Sequence, residues 1–143
     1  MAVRIRPALS NNSESVFSVH DARYVKEIKP KSIVTYSFDE AFEPEHSNKD
    51  IYTQSVAAKV KHFIEKKVNT TILAYGQTGS GKTHTLFGHH QKNLDREKGL
   101  CEYILSDVVA ALLEKGEEMN CSFMQIYKEK VTDLLSGAQI NLR

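Results

Sequence analysis

A glycine-rich segment, Gly76-Gln77-Thr78-Gly79-Ser80-Gly81-Lys82-Thr83, constrains what this chain can fold into more than any other feature. It fits the pattern Gly-x-x-x-x-Gly-Lys-Ser/Thr, and it lies between residues 70–75, which we predict to be a buried strand, and a predicted helix. Glycines let successive backbone N–H groups point inward, and the start of the helix adds partial positive charge. The segment therefore predicts an α/β fold with a loop that cradles phosphate groups.

The last two residues of this loop carry the side chains that act on a nucleotide. In this pattern Lys82 lies against the β and γ phosphates, and the Thr83 hydroxyl coordinates a Mg²⁺ ion that bridges them. An accidental match in a glycine-rich turn is the alternative, and the predicted strand and helix on either side argue against it. Because ATPases, GTPases and kinases share the pattern, it indicates a class of ligand and not one function.

Charge and composition exclude several other kinds of protein. A length of 143 residues predicts one domain with a modest core. The 19 Lys and Arg nearly balance the 18 Asp and Glu, so no global basic field exists to hold a nucleic acid or an anionic membrane. The longest apolar run, residues 108–113, is far too short to cross a bilayer.

The two cysteines, Cys101 and Cys121, form neither a disulfide framework nor a zinc motif. We expect a cytoplasmic protein with no nucleic-acid or membrane partner.

Periodicity predicts the elements on both sides of the loop. Residues 2–6, 16–19 and 33–38 have the character of short strands, and a polar stretch separates the last two, which could belong to a meander. Ser47 predicts a helix start because Asp50 can reach back to its N–H, and an apolar stripe extends that helix to about Val68. After the loop we expect a helix that is interrupted over 88–98 and resumes over 100–112. Further strands are predicted at 121–127, at 131–135 and from Ile140.

Four segments, in order, resemble those of one protein family. They are Val3-Arg4-Ile5-Arg6-Pro7, Phe38-Asp39-Glu40-Ala41-Phe42, the loop with its flanks from Ala74 to Leu86, and Ser122 to Glu129 with Asp133-Leu134-Leu135. They are similar to the first-strand, Phe-Asp-x-x-Phe, phosphate-loop and fourth-strand segments of kinesin motor domains. Two departures are Leu86, where Met is usual, and Gly99-Leu100-Cys101-Glu102, where Gly-Ile-Ile-Pro is usual. From residue 3 to residue 135 the chain resembles the N-terminal part of such a domain.

This resemblance implies a fold and a nucleotide site. The fold is that of a phosphate-loop NTPase, with a mixed, mostly parallel central sheet flanked by helices, and residues 1–143 would be the nucleotide-binding half of an incomplete motor domain. Arg4, Arg6, Pro7 and His84 would border the adenine of ATP, since guanidinium, proline and imidazole groups offer stacking faces. The alternative is that both arginines are exposed residues of an edge strand and that His84 is a surface residue of a helix.

The resemblance also implies an ATP-driven microtubule motor, an ATPase of the cytoskeleton whose partner is tubulin. The 143 residues contain neither the Ser-Ser-Arg nor the Asp-Leu-Ala-Gly switch segment of the family. No catalytic residue can therefore be assigned, although Asp107 and Asp133 are the nearest candidates, and we do not expect this chain alone to hydrolyse ATP. The alternative is a non-motor kinesin-like protein that binds nucleotide or a partner without hydrolysis. A third hypothesis is an unrelated phosphate-loop kinase or GTPase.

Overall fold

The computed structural model describes residues 1–8, 16–89 and 96–140. Its strands are β1 (Ala2–Arg4), β2 (Phe17–His20), β3 (Tyr24–Lys29), β4 (Ser32–Ser37), β5 (Glu40–Phe42), β6 (Gly88–His89), β7 (Glu97–Lys98), β8 (Met124–Tyr127), β9 (Lys130–Asp133) and β10 (Gln139–Ile140). Its helices are α1 (Asn48–Ile51), a π-helix (Tyr52–Val56), α2 (Ala57–Lys66), α3 (Lys82–Phe87) and α4 (Leu100–Lys115). The chain divides into two compact units, Met1–Val108 and Val109–Arg143.

Two separate sheets form the N-terminal part of the first unit. Strand β1 pairs in parallel with β5, where Arg4 lies opposite Phe42, and both Ala41 and Phe42 are buried. Strands β2, β3 and β4 form an antiparallel sheet in that order, a meander in which the predicted strands over 16–19 and 33–38 lie on either side of a strand that was not predicted. The mixture of parallel and antiparallel pairing with helices confirms an α/β fold.

The middle strand of this meander, β3, lies in the stretch that the sequence marks only as polar. Its charged side chains are paired on the sheet surface: the Tyr36 hydroxyl donates to the Glu27 carboxylate at 2.8 Å, and the Lys29 ammonium lies 3.3 Å from the same group. Val25 is buried beneath them. A strand that keeps most of its side chains in solvent loses the apolar alternation by which strands are recognised.

The predicted helix start at Ser47 is confirmed as a capping box. The Asp50 N–H donates to Ser47 Oγ at 3.2 Å, and the Ser47 N–H donates to the Asp50 carboxylate at 2.8 Å. The Ser47 hydroxyl also donates to the Asp50 carboxylate at 2.6 Å, and this hydrogen bond, followed by the one from the Ser47 N–H, lowers the pKa of Asp50. The cap therefore satisfies donors at both ends of the first turn.

One apolar stripe runs along α1, the π-helix and α2, as the sequence predicts. Ile51, Tyr52, Val56 and Val60 are buried, whereas Phe63 is 37% exposed. The Tyr52 hydroxyl donates to Asp107, and burial and this hydrogen bond raise the pKa of the hydroxyl. The stripe thereby packs against the start of α4, where the ring of Tyr103 stacks on Tyr52 with centroids 5.2 Å apart.

The prediction of a buried strand over residues 70–75 is wrong. No described segment of the chain pairs with these residues, and Leu73 and Tyr75 are 85% and 96% exposed. A strand is held by ladder hydrogen bonds to a neighbour, so an apolar, β-branched run without one stays irregular whatever its propensity. The run still leads into the glycine-rich loop, and α3 begins at Lys82 as predicted.

The predicted interruption between two helices is an antiparallel pair of short strands, β6 and β7. Residues 90–95, between them, lie outside the described part of the chain. A Cβ on Gly99 would lie only 2.3 Å from the Leu86 carbonyl oxygen, so only glycine fits where the chain returns past α3. Helix α4 follows at once and begins with the buried Leu100, as the stripe predicts.

The second unit contains an antiparallel sheet in the order β10-β9-β8. Val131 is buried and lies opposite both Ile126 and Ile140. All three predicted strands are present with shorter bounds, and the predicted continuation over 141–142 lies outside the described residues. Among the helices that the structure describes, none has the length and apolar character needed to cross a membrane.

Replacing Ser47 with alanine removes the hydroxyl that caps α1, and we expect it to lower the free energy of unfolding by about 1 kcal/mol. Urea unfolding at neutral pH measures the effect. Ser106→Ala is the matched control, because the Ser106 hydroxyl donates to the Glu102 carbonyl inside α4, where alanine is the better helix former.

The effect of Ser47→Ala should also depend on pH. Because the folded state lowers the pKa of Asp50, the stabilisation is present above the ordinary carboxyl pKa and is lost as the pH falls through the lowered value. If Ser106→Ala loses as much stability as Ser47→Ala, the loss is not specific to the helix cap, and the capping role of Ser47 is contradicted.

Candidate functional site

A cavity of about 560 Å³ lies where the end of β1 approaches the start of α3. Its lining consists of Arg4, residues 6–8 and residues 79–85. It therefore brings together the larger part of the predicted site, namely Arg4, Arg6, Pro7, Gly79, Ser80, Gly81, Lys82, Thr83 and His84. The first three residues of the glycine-rich segment, Gly76, Gln77 and Thr78, do not line it, and Gln77 faces an adjoining cavity.

The loop owes its shape to two glycines and one lysine. Gly79 and Gly81 have φ of +80° and +100°, a conformation that other residues adopt at a cost. The Lys82 ammonium donates to the carbonyls of Gly76 and Gln77 at 2.7 and 2.8 Å. The lysine thus reaches back across the loop, and its positive charge lies among the residues that form the cradle.

Arg6 connects the end of β1 to this loop. Its guanidinium donates to the Gly79 carbonyl. The contact spans 73 positions of sequence, so it holds the loop against a segment that is distant in the chain. Pro7 follows directly and lines the same cavity.

Arg4 is held more deeply than Arg6. Its Nη1 donates to the Asn48 side-chain oxygen at 2.7 Å and to the Thr85 hydroxyl at 2.9 Å, while Nη2 donates to the His46 carbonyl at 3.0 Å. Burial lowers the pKa of the guanidinium, and the nearby Glu97 carboxylate acts in the opposite direction. Arg4 is therefore a half-buried residue with fixed partners, which contradicts the alternative of an exposed edge-strand side chain.

Asn48, which the sequence analysis missed, holds these elements together. It is 0% exposed, and its side-chain amide donates to the carbonyls of His84 and Lys98 at 2.9 and 3.0 Å. Its own N–H donates to the Glu97 carboxylate at 2.9 Å. The contact between Asn48 and Glu97 follows from no sequence pattern, because 49 positions separate the two residues. The one available signal is a polar residue directly after a helix cap.

His84 is one of the residues that line the cavity. Its Nε2 is 3.1 Å from the second oxygen of the Glu97 carboxylate, and its ring centroid is 6.3 Å from that of His89. The side chain is 39% exposed, so one side of the ring stays accessible. His84 is thus neither buried nor a free surface residue.

The two aspartates considered as switch residues do not line the cavity. Asp107 accepts the hydroxyl hydrogen bond from Tyr52. Asp133 accepts hydrogen bonds from the Ser136 hydroxyl at 2.7 Å and the Leu135 N–H at 2.9 Å, and these lower its pKa. Both carboxylates therefore have structural partners within the protein. Within the described residues no group of three or more His, Cys, Asp or Glu side chains forms a metal site.

Fold and site together define an α/β protein with a phosphate-loop sequence at the edge of a cavity. The family model of the kinesin motor domain matches residues 4–143, and the chain belongs to that family. The predicted resemblance is thereby confirmed.

Comparison with individual proteins agrees with this assignment. Kinesin-like protein Klp61F of Drosophila melanogaster is 31% identical over 94% of this chain and 14% of its own length. Kinesin-like protein KIN-UA of Oryza sativa is 32% identical over 98% of this chain and 15% of its own length. The chain thus spans only a small part of the length of these relatives. A solved structure of a fast kinesin shares the fold, with a TM-score of 0.79 over 95% of this chain and 40% of that chain at 24% identity.

Replacing Asn48 with alanine should lower the free energy of unfolding by roughly 2–4 kcal/mol, because two backbone carbonyls and part of the Arg4 guanidinium lose a buried partner. Urea unfolding followed by circular dichroism provides the measurement. Asn69→Ala, at an exposed position, is the matched control and should change stability by less than about 0.5 kcal/mol. Equal small effects for the two variants would show that Asn48 does not hold the site together.

Proposed function

We propose that this cavity binds Mg·ATP, with residues Gly76–Thr83 around the phosphates and Arg4, Arg6, Pro7 and His84 beside the adenine. The observation that supports this best is that Arg4, Arg6 and Pro7, from the start of the chain, line one cavity with residues 79–85. Its volume of about 560 Å³ lies within the range of roughly 300–1,000 Å³ typical of small-molecule sites. Kinesin family membership supports the same ligand.

Lys82 is the residue on which phosphate binding would depend most. Its ammonium now donates to two neutral carbonyls. A phosphate oxygen would add the attraction of its negative charge to the hydrogen bond, so the ammonium would gain by turning from these carbonyls to phosphate oxygens. Arg6, tied to the Gly79 carbonyl, would add positive charge at the same side of the loop.

Thr83 fits the role of a Mg²⁺ ligand. Mg²⁺ prefers oxygen ligands, and the Thr83 hydroxyl lines the cavity without a hydrogen bond to any of the described residues. When bound with ATP, the ion supplies positive charge that neutralises the phosphates. The protein would provide the Thr83 oxygen and leave the remaining positions to phosphate and water.

The base would lie against flat side chains. The hydrogen bonds of Arg4 lie in the plane of its guanidinium, so they fix the group and leave its faces for stacking. The Pro7 ring and the His84 imidazole line the same cavity. Such faces suit a purine and require no buried countercharge.

Lys82→Ala should weaken Mg·ATP binding roughly 100-fold, because it removes the ammonium that faces the β and γ phosphates. Isothermal titration calorimetry of the 143-residue chain measures the affinity. Lys66→Ala, at an exposed position near the end of α2, is the matched control and should leave the affinity unchanged. If Lys82→Ala binds as tightly as the parent chain, the phosphate-loop assignment is wrong.

Family membership supports a wider proposal for the protein to which these residues belong. It would be an ATP-driven microtubule motor, an ATPase of the cytoskeleton, with tubulin as its partner and Mg·ATP as its substrate. Because the chain spans 14% of the length of one relative and 15% of another, this activity is proposed for the protein and not for residues 1–143 alone.

The 143-residue chain, assayed alone, should bind Mg·ATP yet show no microtubule-stimulated hydrolysis. Phosphoryl transfer depends on positioning and charge stabilisation, and this chain supplies charge through Lys82 while Asp107 and Asp133 are bonded elsewhere. A phosphate-release assay with and without polymerised tubulin tests this, with calorimetric binding in the same preparation as the control. Robust stimulation by tubulin would identify a water-positioning residue among those present.

A further inference from the structure

The carboxylate of Glu97, in β7, connects two elements that border the proposed nucleotide site. One oxygen accepts the N–H of Asn48, at the start of α1, at 2.9 Å. The other lies 3.1 Å from Nε2 of His84, in α3. Because the two oxygens are held by different elements, the carboxylate cannot turn without losing one of these partners.

The same three residues form a closed ring of polar contacts, two of them hydrogen bonds donated by Asn48 and the third the 3.1 Å contact between Glu97 and His84. The Asn48 amide donates to the His84 carbonyl at 2.9 Å, so Asn48 holds the backbone of His84 while Glu97 holds its ring. A carboxylate only accepts, so the contact favours a proton on Nε2 of His84. The orientation of the imidazole is therefore set by residues outside the cavity.

The position of Glu97 is itself fixed by its neighbours. The Lys98 carbonyl accepts a hydrogen bond from the Asn48 amide at 3.0 Å, and His89 lies opposite Glu97 in the β6–β7 pair. Glu97 does not line the cavity, whereas His84 and Arg4 do. Glu97 therefore acts on a ligand through these residues: it contacts the His84 ring directly and reaches Arg4 through its charge and through Asn48.

We propose that Glu97 is a positioning residue for the base of the nucleotide, holding the His84 imidazole in the orientation that meets the adenine. This rests on the ATP site proposed above. It separates the site into two parts: Lys82 and Thr83 act on the phosphates, and the Glu97–His84 pair acts on the base. Glu97 should then matter for ATP and not for a ligand that has phosphates without a base.

The experiment compares Mg·ATP with magnesium tripolyphosphate, by calorimetry, on the full 143-residue chain and its Glu97→Ala variant. We expect Glu97→Ala to weaken ATP binding about three- to tenfold, the effect of one lost polar contact, and to change tripolyphosphate binding by less than twofold. Glu114→Ala, at an exposed position in α4, is the matched control and should change neither.

Glu97→Gln is a second variant that retains an oxygen for the Asn48 N–H. Its amide can donate to Nε2 if His84 moves its proton to Nδ1, so we expect an ATP affinity between those of the parent and Glu97→Ala. The ¹⁵N shifts of the His84 ring report this change directly and test whether Glu97 holds the imidazole, while the comparison of ATP with tripolyphosphate tests whether the imidazole acts on the base.

Three outcomes overturn the inference in distinguishable ways. If the parent chain binds neither probe, the proposed nucleotide site fails and the inference fails with it. If the parent binds both and ATP affinity is unchanged in Glu97→Ala, the inference alone is wrong. If both probes lose affinity equally, Glu97 supports the fold and does not orient the base.

Discussion

A primary amide offers two donors and two acceptor lone pairs, and those that stay unpaired in a buried position destabilise the folded state. The side chain of Asn48 can therefore be buried only when partners from several elements meet around it. It finds the Arg4 guanidinium from β1, the His84 carbonyl from α3 and the Lys98 carbonyl from β7. Because all three must be present together, this one amide sets how the start of the chain approaches the helix that follows the glycine-rich loop.

The charge of the molecule is distributed to suit an anionic ligand although its total is small. The formal net charge is +1, yet Arg4, Arg6 and Lys82 line one cavity. The Glu97 carboxylate acts electrostatically on Arg4, and its oxygens are engaged by Asn48 and His84. Local concentration of positive charge therefore replaces the global basic field that many anion-binding proteins use.

Features that depend on neighbours in sequence could be predicted, and those that depend on distant partners could not. The capping box of Ser47, the stripe along α2 and the glycine-rich loop all rest on spacings of a few residues. The strand expected over residues 70–75 depends on a pairing partner that no local pattern reveals, and β3, whose charged residues obscure its alternation, is recognised only by its pairing with β2 and β4. The roles of Asn48 and Glu97 could not be predicted for the same reason, since their contact joins segments 49 positions apart.

The pairing of β1 with β5 also limits how the start of the chain can vary in length. Side chains alternate along a strand, so Arg4 and Arg6 share one face, and Ile5 extends the ladder by donating to the Phe42 carbonyl at 2.9 Å. A slip of one residue against β5 would turn both arginines to the opposite face. An insertion between Arg4 and Arg6 would separate the contact with Asn48 from the contact with Gly79. In this short segment, evolution can exchange side chains more readily than it can add or remove a residue.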